Sequence, residues 1–233
     1  MATQWRLHER THLGLMLALT FSTGVVDAVG YLGLDRVFTG NMTGNVVILG
    51  MALLGGDNLP IIGPVIALVC FMAGAAVGGR VLRRVDAGWT PLSTGVFTGV
   101  GVVLLVAAVT LFAVGGHPVQ SVQWTVTGML GLAMGAQAAT ARHIAVKDVT
   151  TVVVTSTLAG LAADSVFGAG KQQPWARRAG AVVLIGLGAI VGAGAVHLQP
   201  AAGLLVSAVI VLVVAGWGHF VTGGPVPQVT AEA

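Results

Sequence analysis

Six long apolar stretches constrain the fold of this chain more than any other feature of its sequence. They lie at residues 13–34, 61–82, 92–114, 121–141, 179–198 and 202–222. Each is long enough to cross about 30 Å of hydrocarbon, which takes roughly 20 helical residues. A soluble domain carries roughly 25% charged residues, whereas only 8% of this chain is charged. The sequence therefore predicts an all-α polytopic membrane helix bundle with about six full spans.

The apolar stretches also set the predicted domain organisation. Residues 13–222 form one membrane domain, between an N-terminal cytoplasmic tail at 1–12 and a C-terminal tail at 223–233. Tryptophan favours the membrane interface, and the five tryptophans fall near the proposed span ends, at Trp5, Trp89, Trp124, Trp175 and Trp217. We expect all five to be interfacial anchors.

Two further apolar stretches are too short to span a bilayer comfortably. Residues 40–55 and 149–165 each begin with small and polar side chains. The Val- and Thr-rich run at 149–157 would suit a strand in water, but an isolated strand leaves its main chain unpaired in lipid. The sequence therefore predicts two short helices, broken or re-entrant.

The distribution of basic residues favours the arrangement with six full spans. With the N terminus inside and both short segments re-entrant, ten of the 11 basic residues lie inside and only Arg36 lies outside. Positive charge prefers the inside. If both short segments cross, five of the 11 lie inside and six outside. In a seven-span alternative, the N terminus lies outside and only 40–55 of the two short segments crosses. This places nine basic residues inside and two outside, so the alternative remains open.

The order of long and short segments repeats along the chain. Residues 13–114 run span, short element, span, span, and residues 121–222 run in the same order. Since each half crosses three times, the two halves have opposite orientations, which is an inverted repeat typical of transporters. Residues 41–50 show a weak match to 153–162, and upstream Asp27 falls opposite Gln137.

Asp27 is the strongest candidate for a functional side chain. It lies within the first span, where a carboxylate costs roughly 2.5–3.5 kcal/mol on insertion scales and must face the bundle interior or a cavity. Broken helices leave main-chain groups free to bind a solute or ion. The further candidates for substrate or ion binding, in and around the short segments, are Asn41, Thr43, Asn45, Gln137, Thr151, Thr155 and Thr157. For Asp27 the alternative is a structural carboxyl, either protonated or hydrogen-bonded to the partly unwound short element. For the other residues it is a structural role in hydrogen bonding between helices.

Charged residues flank both short segments. Ion pairs there would gate access to a site between them, and the residues we assign to this role are Asp35, Arg36, Arg142, Asp148 and Asp164. The alternative is ordinary interfacial charge near span ends.

No motif indicates an enzyme. Residues 8–12 read His-Glu-Arg-Thr-His, which fits the two-histidine zinc pattern, but no third ligand stands out in the sequence. The glycine-rich stretches lack the strand and helix context of a nucleotide fingerprint. We therefore predict no catalytic residue, no metal, no cofactor and no nucleic-acid partner. The expected partners are membrane lipids and a small solute or ion, and the composition also allows a homo-oligomer.

Two stretches carry a resemblance to a known family. Val26–Leu32, Val37-Phe38 and Asn41-Met42-Thr43-Gly44-Asn45 resemble the N-terminal signature of the YoaK family, and 131–139 with 148–158 resemble its second half. The resemblance implies a bacterial inner-membrane protein of a family without assigned function. An Asn commonly follows the family's counterpart of Gln137, whereas Ala138 stands there in this chain.

Two functions follow as hypotheses. The first is a secondary transporter or facilitator of a small solute or ion, with its site at the two short segments near mid-membrane. The second is a non-catalytic membrane scaffold or partner subunit, in which Asp27 and the short segments are structural.

Overall fold

The computed structural model describes residues 2–55, 58–115, 118–144 and 154–222, with side chains from Thr11 to Val221. These residues form eight α-helices and no strand. The helices are α1 Ala2–Gly33, α2 Met42–Leu53, α3 Ile62–Leu82, α4 Pro91–Ala113, α5 Gln120–Ile144, α6 Val154–Ala163, α7 Trp175–Leu198 and α8 Pro200–Thr222. The all-α membrane bundle expected from the sequence is confirmed at this level.

Five of the long helices have the length and apolarity of membrane spans: the Thr11–Gly33 part of α1, and α3, α4, α7 and α8. The sixth expected span, α5, has 25 residues and is long enough but less apolar. Its Thr127, Gln137 and Thr140 are all buried against other helices. The buried polar side chains of α5 therefore face the other helices of the bundle. By length and apolarity alone, the described helices include five membrane spans, and α5 is not one of them. At the other end of the chain, α1 begins at Ala2, so the expected tail at residues 1–12 is largely helical.

Both short elements are helices, as expected. Helix α2 has 12 residues and α6 has ten described residues, which correspond to about 18 and 15 Å at 1.5 Å per residue. Neither is long enough to cross about 30 Å of hydrocarbon. The first part of the second expected element, residues 149–153, lies outside the described residues.

Three helix pairs make up the bundle: α3 packs on α5, α1 on α7, and α4 on α8. Helix α8 also contacts α1, and α4 also contacts α5. The apolar core lies among α1, α4, α5 and α8, where Leu19, Leu104, Leu130 and Leu204 have no exposed surface. The two short helices lie outside this core, because α2 contacts only α3 and α6 contacts only α7 among the described helices.

Glycines set the closest helix crossings. A Cβ at Gly74 of α3 would overlap the Leu132 carbonyl oxygen of α5, and a Cβ at Gly188 of α7 would overlap the Phe21 carbonyl oxygen of α1. Small residues let helix backbones approach this closely in membranes, where dispersion and polar contacts replace the hydrophobic drive.

One predicted interfacial anchor is buried instead. Trp89 is 9% exposed and its indole Nε1 donates to Thr94 Oγ1 at 2.9 Å. Its ring packs on Phe97, with centroids 5.3 Å apart, and fills the space that a side chain at Gly218 would take. Trp89 therefore closes one end of the bundle between α4 and α8, while Trp175 and Trp217 remain more than half exposed.

Candidate functional site

Asp27 lies buried in α1, six residues before the C-terminal end of the helix. The segment that follows α1 folds back along it, so that the main-chain N–H groups of Thr39 and Gly40 donate to Asp27 Oδ1 at 2.9 and 2.6 Å. Since six helical residues rise about 9 Å, the segment returns about 9 Å along α1 before α2 begins. A carboxylate within a span is thereby hydrogen-bonded by main chain rather than by a charged partner.

Gly40 makes this approach possible. A Cβ at Gly40 would lie 2.8 Å from Thr23 Cγ2 and 3.4 Å from both carboxylate oxygens of Asp27. Gly30 allows a second close approach, because a Cβ there would overlap the Val37 carbonyl oxygen. The returning segment therefore lies directly against the face of α1 that carries Thr23, Asp27 and Gly30.

Asn45 holds the returning segment in place from the other side. Its side chain has no exposed surface and pairs with both main-chain groups of Phe38: the Phe38 N–H donates to Oδ1 at 2.9 Å, and Nδ2 donates to the Phe38 carbonyl at 2.5 Å. This two-point contact fixes the residue directly before Thr39. Asn45 is thus placed to position the donors of Asp27 rather than to bind a solute.

The other two polar residues at the start of α2 have different surroundings. Asn41 is the N-cap of α2, and its Oδ1 accepts from the Gly44 N–H at 3.2 Å. Thr43 is exposed. The positive end of the α2 dipole lies next to Asp27, because Thr39 and Gly40 immediately precede this cap. A helix N-terminus favours a nearby negative charge.

Gln137 of α5 joins the same cluster through Thr23. It is 1% exposed, and its Nε2 donates to Thr23 Oγ1 at 3.1 Å, one turn of α1 before Asp27. The Thr23 hydroxyl in turn donates to the Leu19 carbonyl at 2.9 Å. Within the described part of the chain, Gln137 Oε1 is buried without a hydrogen-bond partner. Asp27, Thr39 and Gln137 therefore form a buried polar cluster between α1, α5 and the returning segment.

The second short element does not join this cluster in the described residues. Thr155 and Thr157 lie on α6, which contacts α7 alone among the described helices. Thr151 lies outside the described residues. The described polar groups of the expected site therefore come from α1, from the segment that precedes α2, and from α5.

The five expected gating charges also separate. Asp35 and exposed Arg36 lie where α1 ends, and Arg142 is exposed near the end of α5; within the described residues none of the three forms an ion pair. Asp148 lies outside the described residues. Asp164 alone is paired there, with Arg178 at 3.0 Å and Lys171 at 3.8 Å.

Arg178 was not among the predicted site residues, and it ties α6 to α7. Its Nη1 also donates to Gln173 Oε1 at 3.0 Å, and Gln173 Nε2 donates to the Leu161 carbonyl at 3.0 Å. Because Arg and Lys near a helix C-terminus satisfy its last carbonyls and its dipole, this network holds the end of α6. Its role is to fix a short helix, far along the chain from Asp27.

A groove opens beside Asp27 between α1 and α7. It has a volume of about 400 Å³ and almost entirely apolar walls. Tyr31 and Phe38 lie at one side, with stacked rings whose centroids are 4.9 Å apart. Ile185, Gly186 and Ala189 of α7 form the other side.

Apolar spans, short helices and a carboxylate held within a span define a class: the chain is a multi-pass integral membrane protein. Over residues 15–217 it matches the family described as "Protein of unknown function (DUF1275)", and it belongs to that family. It is also 29% identical over 185 residues to the UPF0700 transmembrane protein YoaK of Bacillus subtilis (strain 168), covering 76% of this chain and 80% of the relative. No solved structure matches it significantly. The resemblance seen in the sequence is confirmed.

Proposed function

We propose that this protein is a secondary transporter or facilitator of a small solute or ion and not an enzyme. One observation carries the proposal: the carboxylate of Asp27 lies within a membrane-spanning helix and is bound by the main chain of a segment that folds back beside it. An intramembrane ionisable residue next to interrupted helices is the usual arrangement of a transport site.

The helix contacts support an inverted repeat. If α1–α4 are exchanged with α5–α8 in order, the α3–α5 contact becomes α7–α1, α1–α8 becomes α5–α4, and α2–α3 becomes α6–α7. The α4–α8 and α1–α5 contacts map onto themselves. Every helix pair in contact therefore has a counterpart in contact, which a two-fold axis between the halves requires.

The glycine crossings support the same exchange at the level of single residues. Gly74 of α3 lies against the Leu132 carbonyl of α5, and its counterpart Gly188 of α7 lies against the Phe21 carbonyl of α1. In the same way, Gly135 of α5 lies against the Phe71 carbonyl of α3, and its counterpart Gly24 of α1 lies against the Ile185 carbonyl of α7. These pairs relate α3 to α7 by 114 positions and α1 to α5 by 111. In this proposed register the counterpart of Asp27 is Ala138, one residue after the Gln137 of the alignment drawn from the sequence.

The path of the first short element supports a re-entrant segment. Its chain leaves the end of α1 at Asp35, returns to the level of Asp27, and reaches α3 beside its starting point, since a Cβ at Gly63 would lie 3.5 Å from Asp35 Oδ2. This supports six full spans, with α5 as the sixth. With six spans, ten of the 11 basic residues lie on the same side as the N terminus. By the positive-inside rule, this supports a cytoplasmic N terminus in a bacterial inner membrane.

Topology is the first test of this proposal. In a Cys70→Ser background, single cysteines at 57, 87, 117 and 172 are labelled from either side of the membrane. We expect labelling of 57 and 117 from outside and of 87 and 172 from inside. A fifth single cysteine replaces Arg36, which lies between α1 and α2, and we expect it to be labelled from outside, as 57 is. Labelling of 36 from inside and of 57 from outside means that 40–55 crosses fully, and the inverted repeat is then wrong.

Transport itself is tested in proteoliposomes exposed to a panel of inorganic cations, organic cations, amino acids and sugars. We expect saturable uptake of at least one class, abolished by Asp27→Asn and retained in Thr43→Val, because Thr43 is an exposed polar residue in the same stretch. If folded protein gives no uptake above empty liposomes for any class, the scaffold alternative is favoured.

A further inference from the structure

The groove between α1 and α7 combines three features. It has space for a ligand, since drug-sized ligands occupy sites of roughly 300–1,000 Å³ and this groove measures about 400 Å³. Its walls are apolar, with Ile185 and Ala189 on one side. Asp27 and two aromatic rings also line it. An apolar surface alone would suit a lipid chain, whereas a carboxylate would not.

The ionised form of Asp27 has no counter-charge in the described part of the chain. Its described donors, the N–H groups of Thr39 and Gly40, are neutral, and no cationic side chain among the described residues pairs with it. Such donors reduce the cost of burying the carboxylate but leave its net charge. Because an isolated charge is costly in a low-dielectric environment, a bound cation would stabilise this arrangement.

The aromatic pair favours the same kind of ligand. Tyr31 is 37% exposed and stacks on Phe38 at an interplanar angle of 24°. The faces of aromatic rings attract cations, most strongly where water is excluded. Tyr31 also lies one turn from Asp27 on α1, so the rings and the carboxylate line the same groove.

The composition of the groove argues against a bare metal ion as its occupant. Hard cations need several oxygen ligands at once, whereas the groove lining offers the Asp27 carboxylate, the Tyr31 hydroxyl and otherwise aliphatic or aromatic side chains and glycine. A cation that carries its own apolar body needs only one counter-charge and gains from burying its apolar surface.

We propose that the α1–α7 groove binds an organic monocation with an apolar body, which reaches Asp27 sideways from the bilayer. This names the substrate class of the transporter and rests on the proposed function for its physiological meaning. The cation lies against the Asp27 carboxylate and the Tyr31–Phe38 rings, and its apolar body packs on Ile185 and Ala189.

Binding is measured with tetraphenylphosphonium by equilibrium dialysis against the purified full chain in detergent micelles. Tetraphenylborate has the same shape and the opposite charge, so it reports apolar partitioning alone. We expect saturable binding of the cation, non-saturable partitioning of the anion, and a cation affinity weakened roughly 30-fold or more in Asp27→Asn, as for loss of one partner of a buried charge pair.

A second variant tests the groove without touching the carboxylate. A Cβ at Gly186 meets nothing within 4 Å, so Gly186→Phe can extend into the groove without a clash at its base. Gly194→Phe is the matched control, because Gly194 is on the same helix with equally open surroundings and outside the groove. We expect Gly186→Phe to abolish saturable binding and Gly194→Phe to leave it unchanged.

The outcomes separate the inference from the proposed function. Equal binding of both ions, or cation binding that survives Gly186→Phe, overturns the inference and leaves the groove as a lipid contact. Uptake of some other solute in proteoliposomes, without phosphonium binding, overturns the inference alone. Saturable phosphonium binding in a protein that transports neither it nor any other solute supports the groove and refutes transport.

Discussion

Asn41 and Asn45 provide the sharpest test of how the returning segment is held. Both are asparagines at the start of α2, one helical turn apart, but Asn45 is fully buried and binds two main-chain groups of Phe38. Asn41 is exposed and caps α2 through one contact with Gly44. The substitutions Asn45→Ala and Asn41→Ala therefore remove the same atoms from two different environments.

The expected magnitudes follow from the groups left unpaired. In Asn45→Ala the Phe38 N–H and carbonyl both lose their partner in a partly buried setting, at about 1–3 kcal/mol for each unsatisfied group. The free energy of unfolding should fall by about 2–6 kcal/mol. In Asn41→Ala only an exposed N-cap is lost, for about 1 kcal/mol.

The assay is unfolding by SDS titration in mixed micelles, followed by circular dichroism, together with hydrogen exchange of the peptide that covers residues 34–45. We expect Asn45→Ala to release the Thr39 and Gly40 amides, because Phe38 no longer holds them against Asp27. Asn41→Ala should leave these two amides protected. Equal destabilisation by the two variants, or unchanged protection in Asn45→Ala, would refute the positioning role of Asn45.

Two further predictions concern the helix packing. Gly74→Ala and Gly188→Ala should each destabilise the fold by about 1–3 kcal/mol through overpacking, and to a similar extent, because each Cβ would overlap a carbonyl of the partner helix. The controls are Gly79→Ala and Gly194→Ala, where a Cβ meets nothing within 4 Å. All four variants are compared by the same SDS titration. Clear destabilisation by only one of Gly74→Ala and Gly188→Ala would count against the repeat. Arg178→Ala should raise hydrogen exchange in α6 while leaving α1 protected, and Lys171→Ala should change little, since the Lys171 side chain is 71% exposed and 3.8 Å from Asp164. Similar exchange profiles for these two variants would contradict the role of Arg178.

The sequence predicted the helices well because the bilayer imposes a simple rule on them. A span must be long, apolar and internally hydrogen-bonded, so apolar length alone located α3, α4, α7 and α8. It located α5 equally well, at 121–141 against Gln120–Ile144. It did not show that the polar residues of that helix face the bundle, because apolar length cannot tell an inward polar face from an outward one.

The sequence identified the residues of the site but not their roles. Asp27 was marked by its cost at membrane depth, whereas Asn41 and Asn45 were indistinguishable until the returning segment placed one outside and one inside. Thr39 and Gly40 were missed because they act through main-chain N–H groups, which leave little trace in side-chain chemistry. The signal was present in their position, between a span with a carboxylate and an Asn-capped helix.

Ion pairs and buried aromatics depended on tertiary contacts that no local pattern encodes. Arg178 is 14 residues from Asp164, beyond any helical spacing, so nothing in the sequence joined them. Trp89 was expected at the interface because it precedes a span. The glycine at 218 of α8 makes room for its ring, and a contact between residues so far apart in the chain follows only from the fold.

The proposed repeat gives a reason why one carboxylate is enough. In the glycine register the counterpart of Asp27 is Ala138, so the two halves share a fold but not the acid. A two-fold axis that exchanges α1 and α5 must pass through their mutual contact, and the described hydrogen bond between these helices joins Gln137 to Thr23. When one half rotates against the other about such a contact, displacement grows with distance from it. In the proposed transporter, Asp27 would therefore move less than the outer helices, because it is one helical turn from Thr23. If access alternates as proposed, a single acid close to the axis would stay in place, and a second acid at 138 would add a like charge close to the first.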